Sequence, residues 1–465
     1  MKLKDETRKE KDFLGEMEVP ANAYWGATTQ RAITDFQISG KKFPLSFILA
    51  LVTVKKACLM ANLELGHFGK ERAHAVFQTI EEILVERKFL DQFPIDIFQT
   101  GSGTQINMNV NEVLANRANE LLGSPLGSKA PIHPNDHINK SQSSNDIIPT
   151  AMHLSALTQI HVHLFPALNN LSEALEQKID EFNGIVKVGR THLQDAVPIP
   201  LATEFEVYLR QTVINRDRLE DVREELLLIP ISGTALGTGI NADEKFGNLA
   251  LSYLNDLTGL PFNLNPVKAE GIASHNVIVH ASGVLRLLAL TLLKMANDIR
   301  WMGSGPRAGL GELKLPQNEP GSSIMPGKVN PTQSEALIQV CLQVIGNDTV
   351  ISSAESYGSV LDLNVTKPVM IVNLLESIEL LSSGINSFVE HCLKGIQANT
   401  DRLDAQLKRS LMIITNLVPQ IGYDKASEIA QIANKTNKTI KEVILEMGLK
   451  IEGDLDELLD PKKMV

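Results

Sequence analysis

The stretch GSSIMPGKVNPTQSE, residues 321–335, is polar and lies between segments whose apolar pattern predicts long buried helices. Its two glycines and two prolines, Gly321, Gly327, Pro326 and Pro331, predict a loop across the whole stretch. Polar groups that leave water must find hydrogen-bonding partners. We therefore expect this loop to bind a small anion, with partner residues supplied by other parts of the chain.

The composition is that of a globular protein with an aliphatic core. The chain has 465 residues, of which 43% are hydrophobic and only 5% aromatic. Its length suggests about three domains. The net charge of −11 disfavours broad contact with nucleic acid or an anionic membrane. An anionic ligand must therefore be held by local geometry.

The charged N-terminal stretch MKLKDETRKEKDF lacks the apolar segment of a signal peptide and is too acidic for a transit peptide. Cys58, Cys341 and Cys392 lie in apolar segments and show no metal-ligand spacing. We expect a cytoplasmic protein whose thiols are buried and reduced.

Helical periodicity dominates the chain and predicts a mainly α fold with a long central helical bundle. The predicted long helices cover residues 44–65, 70–90, 147–182, 204–228, 276–300, 333–353 and 367–395. We predict an N-terminal domain over 1–140, a central helical-bundle domain over 141–396 and a small C-terminal helical domain over 397–465.

The segment 276–300 is apolar nearly all round. Arg286, Lys294 and Asp298 interrupt it, so it is not expected to offer the roughly 20 predominantly apolar residues that a membrane span needs. We interpret it as a core helix of the bundle and expect no membrane partner.

Two polar stretches each precede a predicted helix. In TGSGTQINMNVN, residues 100–111, Ser102 and Thr104 add hydroxyl donors to the free N–H groups of a helix N-terminus. In HPNDHINKSQSSND, residues 133–146, the triplet from Ser143 to Asn145 does the same. Both patterns suit a carboxylate or a phosphate, although an ordinary capped helix would explain either one alone.

The same second stretch contains His133, Asp136 and His137, which superficially suggests a metal site. Pro134 opposes a regular helical ligand pair, and the sequence shows no clear third ligand. We therefore expect no metal here.

GRTHLQDAVP, residues 189–198, reads as a short polar insertion between helices, and it places His192 beside Thr191. Histidine suits proton transfer near neutral pH, but a lone histidine is more often a structural hydrogen-bonding group. An acidic partner would favour the catalytic interpretation, and Glu335 or Asp195 could supply it.

The loop segment GSSIMPGK is superficially similar to a phosphate-binding P-loop, but its spacing excludes that site. Five residues rather than four separate Gly321 from Gly327, and Val329 stands where Ser or Thr would bind Mg²⁺. The four polar stretches instead suit a compact substrate with two carboxylates, bound without a cofactor. Catalysis would remove a proton next to a carboxylate, and a serine could act as base if Lys328 and backbone N–H groups stabilised its alkoxide.

These stretches, together with SGTALGTGIN, closely resemble in content and order the motifs of the fumarase/aspartase superfamily. The resemblance extends from about residue 12 to Val465. TGSGTQ, His192 in GRTHLQ, and Gly327 with PTQ at 331–333 are similar to the class II fumarase branch, whereas aspartases typically have Gln in place of that His and Ala in place of that Gly. The implied activity is reversible hydration of fumarate to L-malate without metal or cofactor. An aspartase-like ammonia-lyase and a non-enzymatic structural member of the same fold are the alternatives.

The resemblance also implies residue roles. Ser322 is the base, Lys328 assists it, and His192 paired with Glu335 handles the departing hydroxyl. The implied substrate-binding residues are Ser102, Gly103, Thr104, Ser143, Ser144, Asn145, Thr191, Ser323, Lys328, Val329 and Asn330. A peripheral dicarboxylate site matches His133, Pro134, Asn135 and Asp136, beside His137 where the family pattern has a second Asp. The family fold has three domains and forms a homotetramer, in which three subunits contribute to each active site.

Overall fold

The computed structural model describes residues 6–465, so the first five residues of the charged N-terminal stretch lie outside the described residues. Helices make up most of the described chain, which confirms the predicted mainly α class. They are α1 (Ala27–Asp35), α2 (Leu45–Glu64), α3 (Lys70–Leu84), α4 (Thr104–Leu121), α5 (Ser144–Gln159), α6 (Phe165–Glu181), α7 (Leu201–Leu226), α8 (Phe246–Thr258), α9 (Glu270–Ala273), α10 (Asn276–Met302), α11 (Thr332–Gly358), α12 (Lys367–His391), α13 (Thr400–Arg409), α14 (Val418–Ile421), α15 (Tyr423–Thr436), α16 (Ile440–Glu446) and α17 (Leu455–Leu458).

Short strands pair into two-stranded sheets within residues 6–465. The strands are β1 (Thr7–Asp12), β2 (Gly15–Pro20), β3 (Val186–Thr191), β4 (Gln194–Pro200), β5 (Leu228–Ile229), β6 (Asn263–Leu264), β7 (Leu313–Lys314), β8 (Ser359–Val360), β9 (Leu363–Asn364) and β10 (Gln397–Ala398). The pairs are β1–β2, β3–β4, β5–β6, β7–β10 and β8–β9, and only β5–β6 is parallel.

Residues 189–198 lie between the helices α6 and α7, as predicted, and they form most of the hairpin β3–β4, which the sequence did not indicate. Val186 pairs with Pro200 and Thr191 pairs with Gln194, so only His192 and Leu193 form the turn. Their φ angles of 56° and 61° are left-handed, as a two-residue type I′ hairpin turn requires at both positions. Because Asn and Gly usually fill these positions, the sequence gives little sign of the turn.

The chain divides into two compact units. The first comprises Met1–Phe165, Asp217–Leu287 and Leu342–Leu381, and the second comprises Pro166–Arg216, Leu288–Cys341 and Ser382–Val465. The helices α7, α10, α11 and α12 contribute residues to both. The predicted three-domain boundaries near 140 and 396 stay a prediction.

In the first unit, α2 is apolar on nearly all sides and contacts α3, α5 and α8. A helix with this pattern is a core helix, because no face of it favours water. In the second unit, Val186 and Val188 of β3 pack with Leu407 of α13. The three cysteines are free and buried, as predicted, and burial raises the pKa of each thiol to about 12.

Three helices in the described chain are long and apolar enough to cross a membrane when judged by length and composition alone. They are Leu45–Glu64, Asn276–Met302 and Lys367–Gly395. On this criterion the expectation that 276–300 lacks a stretch of membrane-span length was wrong. In Leu45–Glu64, 67% of the most apolar window is buried inside the protein, as a core helix requires.

Candidate active site

The loop at 321–331 is irregular as predicted, but its last predicted residues are helical. α11 begins at Thr332, so Glu335 lies in the first helical turn. The backbone N–H of Gly321 donates to Lys328 O at 2.9 Å, and Asn330 Nδ2 donates to Gly321 O at 2.6 Å. A Cβ at position 321 would lie 2.5 Å from Lys328 O, so only glycine fits this closure. These hydrogen bonds join the two ends of the loop and give it a defined conformation.

Two backbone N–H groups of the loop point at the hydroxyl of Ser322. Its Oγ accepts from the backbone N–H groups of Ile324 at 3.3 Å and Met325 at 3.1 Å. Two N–H donors aimed at one oxygen favour its anionic form. Lys328 Nζ donates to Asn330 Oδ1 at 2.6 Å, so these two predicted substrate-binding side chains lie together.

A cavity of about 370 Å³ opens beside this loop. Ser322, Lys328 and Val329 contribute to its wall, together with residues 317–321 and Gly327. Ser323 and Lys328 are exposed, and Ser322 is half-buried. The loop therefore offers an accessible polar pocket within the second unit, large enough for a small dicarboxylate.

The β3–β4 hairpin carries Thr191 and His192 at its exposed tip in the same unit. Within the described part of one chain, the structure shows no hydrogen bond or ion pair between His192 and Glu335 or Asp195, so the pairing of His192 with Glu335 stays a prediction.

A buried ion cluster anchors the strand that leads to this tip. Glu312 is fully buried and accepts from Arg190 Nη1 at 2.6 Å, while Lys187 Nζ lies 3.0 Å from its second oxygen. Lys187 also pairs with Glu204 of α7 at 2.8 Å. Sequence reasoning missed Glu312, since only the fold places it against two basic residues of β3.

The first unit brings two of the predicted polar stretches together. Ser102 Oγ lies 2.8 Å from Thr104 Oγ1, which in turn lies 2.9 Å from Ser144 Oγ. Thr104 is the first residue of α4, and Ser144 is the first residue of α5. Gly103, which precedes α4, has a φ of 76°, in the left-handed region that glycine adopts readily. Three hydroxyls thus connect two helix N-termini, an arrangement that suits a carboxylate.

Ser143 and Asn145 hold the start of α5. Ser143 Oγ accepts from the backbone N–H of Asn145 at 3.2 Å, and Asp146 Oδ1 accepts from Ser143 N at 2.9 Å. This capping box starts α5 at Ser144, three residues before the predicted helix start at residue 147. Asn145 Nδ2 donates to Ala235 O at 2.9 Å, which places the SGTALGTGIN motif beside this helix start.

The segment 133–138 forms a compact turn in the first unit. His133 Nδ1 accepts from the backbone N–H groups of Asn135 and Asp136, both at 3.2 Å, as Pro134 opens the turn. His137 Nδ1 accepts from His133 N at 2.8 Å, and its Nε2 lies 2.7 Å from Arg72 Nη1. Burial lowers the pKa of His137. The His137 side chain thus supports the turn, and use of a peripheral site stays a prediction.

Residues 6–465 contain no cluster of three or more His, Cys, Asp or Glu side chains that could hold a metal ion.

Two family models match the chain. One is described as lyase and covers residues 15–346, and the other is described as the fumarase C C-terminus and covers residues 413–465. Among solved structures, a class II fumarase from Schistosoma mansoni superposes with a TM-score of 0.95 at 38% identity, covering 99% of both chains. The fold and its polar stretches thus define a lyase of the fumarase/aspartase class, as the motifs predicted.

Two curated relatives narrow the assignment. A class II fumarate hydratase from Neisseria meningitidis is 48% identical over 459 residues, which is 99% of each chain. A mitochondrial fumarate hydratase from Rhizopus oryzae is 48% identical over 98% of this chain and 92% of its own length. The chain belongs to the class II fumarate hydratase family.

Proposed function

We propose that the chain is a hydro-lyase that catalyses the reversible hydration of fumarate to L-malate. The observation that carries this proposal is 48% identity over nearly the full length of a class II fumarate hydratase. The hydrogen bonds to Ser322 Oγ and the hydroxyl chain from Ser102 to Ser144 support it, because both suit a reaction of a small dianion.

In the malate-to-fumarate direction, the alkoxide of Ser322 takes the proton from C3. The C3–H electron pair becomes the C2–C3 double bond, and the C2 hydroxyl leaves as water after gaining a proton. Negative charge develops next to the C3-side carboxylate, so fixed donors around that group lower the barrier. The N–H groups of Ile324 and Met325 stabilise negative charge on the serine oxygen.

The remaining predicted residues divide into two roles. His192, oriented by Glu335, supplies or positions the proton for the leaving hydroxyl. Lys328 assists the base and also binds substrate. The other proposed substrate-binding residues are Ser102, Gly103, Thr104, Ser143, Ser144, Asn145, Thr191, Ser323, Val329 and Asn330. We further propose the second dicarboxylate site at His133, Pro134, Asn135 and Asp136.

We also propose a homotetramer. In it, the loop at 321–331 of one subunit would lie near the hydroxyls from Ser102 to Ser144 and the β3–β4 hairpin of other subunits. The proposed setting is the cytoplasm and the tricarboxylic acid cycle, with no nucleic-acid or membrane partner. Light scattering tests the assembly: a mass of four chains is expected, and a monomer that turns over fumarate would contradict it.

The substrate test compares fumarate with aspartate. Purified protein should consume fumarate, measured as loss of absorbance near the ultraviolet edge, and should release no ammonium from aspartate. Release of ammonium without fumarate hydration would instead identify an ammonia-lyase. Activity on neither would leave a non-enzymatic member of the fold.

A further inference from the structure

Asp146 is a fully buried carboxylate directly behind the proposed carboxylate-binding hydroxyls. Its relative exposure is 0%, and each of its oxygens accepts one backbone hydrogen bond. Oδ1 accepts from Ser143 N and Oδ2 accepts from Thr234 N, both at 2.9 Å. One side chain therefore joins the start of α5 to the segment 232–235.

The backbone of the segment 232–235 has strained φ angles that such a hydrogen bond can stabilise. Ser232 and Thr234 adopt φ angles of 69° and 55°, the left-handed region that non-glycine residues rarely occupy. Side chains hold it from two directions, since Asn145 donates to Ala235 O and Lys268 Nζ donates to Ser232 Oγ at 2.8 Å. Such strain persists only where surrounding contacts fix the backbone.

The surroundings of Asp146 are costly to bury, which argues against a merely space-filling role. Lys55 is 2% exposed, and its Nζ donates to Asn139 Oδ1 and Gln142 Oε1, both at 2.9 Å. Lys55 provides a favourable charge for Asp146. Burial nevertheless raises the pKa of Asp146 to about 7 and lowers the pKa of Lys55 to about 7.

We infer that Asp146 is a positioning residue of the active site, which holds Ser143, Ser144 and Asn145 in the orientation that binds a substrate carboxylate. It acts by accepting backbone hydrogen bonds from both the start of α5 and the segment 232–235. This inference rests on the proposed function, because the carboxylate it serves is that of fumarate or malate.

The test replaces Asp146 with its neutral isostere. In Asp146→Asn, the amide oxygen still accepts one backbone hydrogen bond, but the NH₂ group faces the second backbone N–H. One of the two hydrogen bonds is therefore lost. Misplaced binding donors weaken substrate binding in both the ground state and the transition state. We expect KM for fumarate to rise about tenfold or more, with kcat changing less than about threefold.

Glu112→Gln is the matched control. Glu112 is also a buried carboxylate of the first unit, at 3% exposure, and accepts from the backbone N–H groups of Gly26, Thr28 and Thr29 at 2.9–3.1 Å. It fastens a segment with no proposed role in the site. This variant should lose thermal stability as Asp146→Asn does, but its KM should stay within about twofold of wild type.

A milder variant covers the case in which Asp146→Asn does not fold. Thr234→Gly keeps the backbone N–H that donates to Asp146. Glycine is more flexible than threonine at this left-handed position, so the segment 232–235 should hold its conformation less tightly. KM for fumarate should then rise about threefold. Equal KM values for wild type, Thr234→Gly and any folded Asp146→Asn would overturn the inference. A wild-type protein without fumarate turnover would overturn the proposed function instead, so the two failures are distinguishable.

Discussion

The hydroxyl of Ser322, the proposed base, accepts hydrogen bonds from its own loop. The Ile324 and Met325 N–H groups point at its oxygen, and the loop closed at Gly321 keeps them there. The stretch GSSIMPGKVNPTQSE was sufficient to predict the loop, and its preference for an anion stays a prediction. The pairing of Lys328 with Asn330, rather than with the serine, required the structure.

Ser322→Ala should lower turnover of fumarate by several orders of magnitude, because no other group would take the C3 proton. Steady-state rates of the variant and of Ser252→Ala provide the measurement. Ser252 is an exposed serine on α8, and its variant should behave as wild type. A loss below about tenfold, or ~1.4 kcal/mol of barrier, would show that Ser322 is not the base.

His153 makes folding sensitive to acid. It is buried in α5, its Nδ1 lies 3.0 Å from Leu226 O, and burial lowers its pKa to about 4. Between pH 6.5, the ordinary value, and about 4, the unfolded chain binds a proton that the folded chain does not. Stability therefore rises with pH across this window and falls on acidification.

We expect acidification from about pH 7.5 to about pH 4.5 to cost roughly 2 to 3 kcal/mol through His153. Denaturant unfolding of wild type and His153→Gln at both pH values, at one protein concentration, measures the difference. The variant should lose less stability than wild type on acidification. The same loss in both proteins would contradict the assignment.

At the scale of elements, the hairpin β3–β4 was the main feature that the sequence did not predict. VKVGRT and QDAVPIP alternate only weakly, and His192 with Leu193 replaces the usual turn residues. Its strand β3 forms ion pairs with Glu312, which is distant in sequence. Long helices such as α10 were predictable because their apolar pattern is local, whereas the ion cluster is a product of tertiary packing.

Glu312→Gln should destabilise the second unit by about 3 to 5 kcal/mol, since it leaves the Arg190 and Lys187 charges facing a neutral amide. Urea unfolding measures the loss. Glu225→Gln is the control, because Glu225 forms an exposed pair with His280 at 3.1 Å and should contribute less than about 1 kcal/mol. Equal stability of the two variants would show that the cluster does not anchor the hairpin.

At the scale of the whole molecule, five ordered motifs predicted the family, and helical periodicity predicted the mainly α fold class. Within the first unit, the structure joins the motifs around Thr104 and Ser144, as the expected carboxylate site requires. Ser322 and His192 belong to the second unit. In the proposed homotetramer, the assembly would set the distances between these groups.

The most direct test of reversible hydration follows the fumarate–malate equilibrium from both sides. Purified protein in chelator-treated buffer is given fumarate alone or L-malate alone, and absorbance near the ultraviolet edge is followed in each. Reversible hydration predicts that the fumarate trace falls, the malate trace rises, and both reach the same final value at equal total substrate. No change in either trace, with correctly folded protein, would contradict reversible hydration of fumarate by this chain.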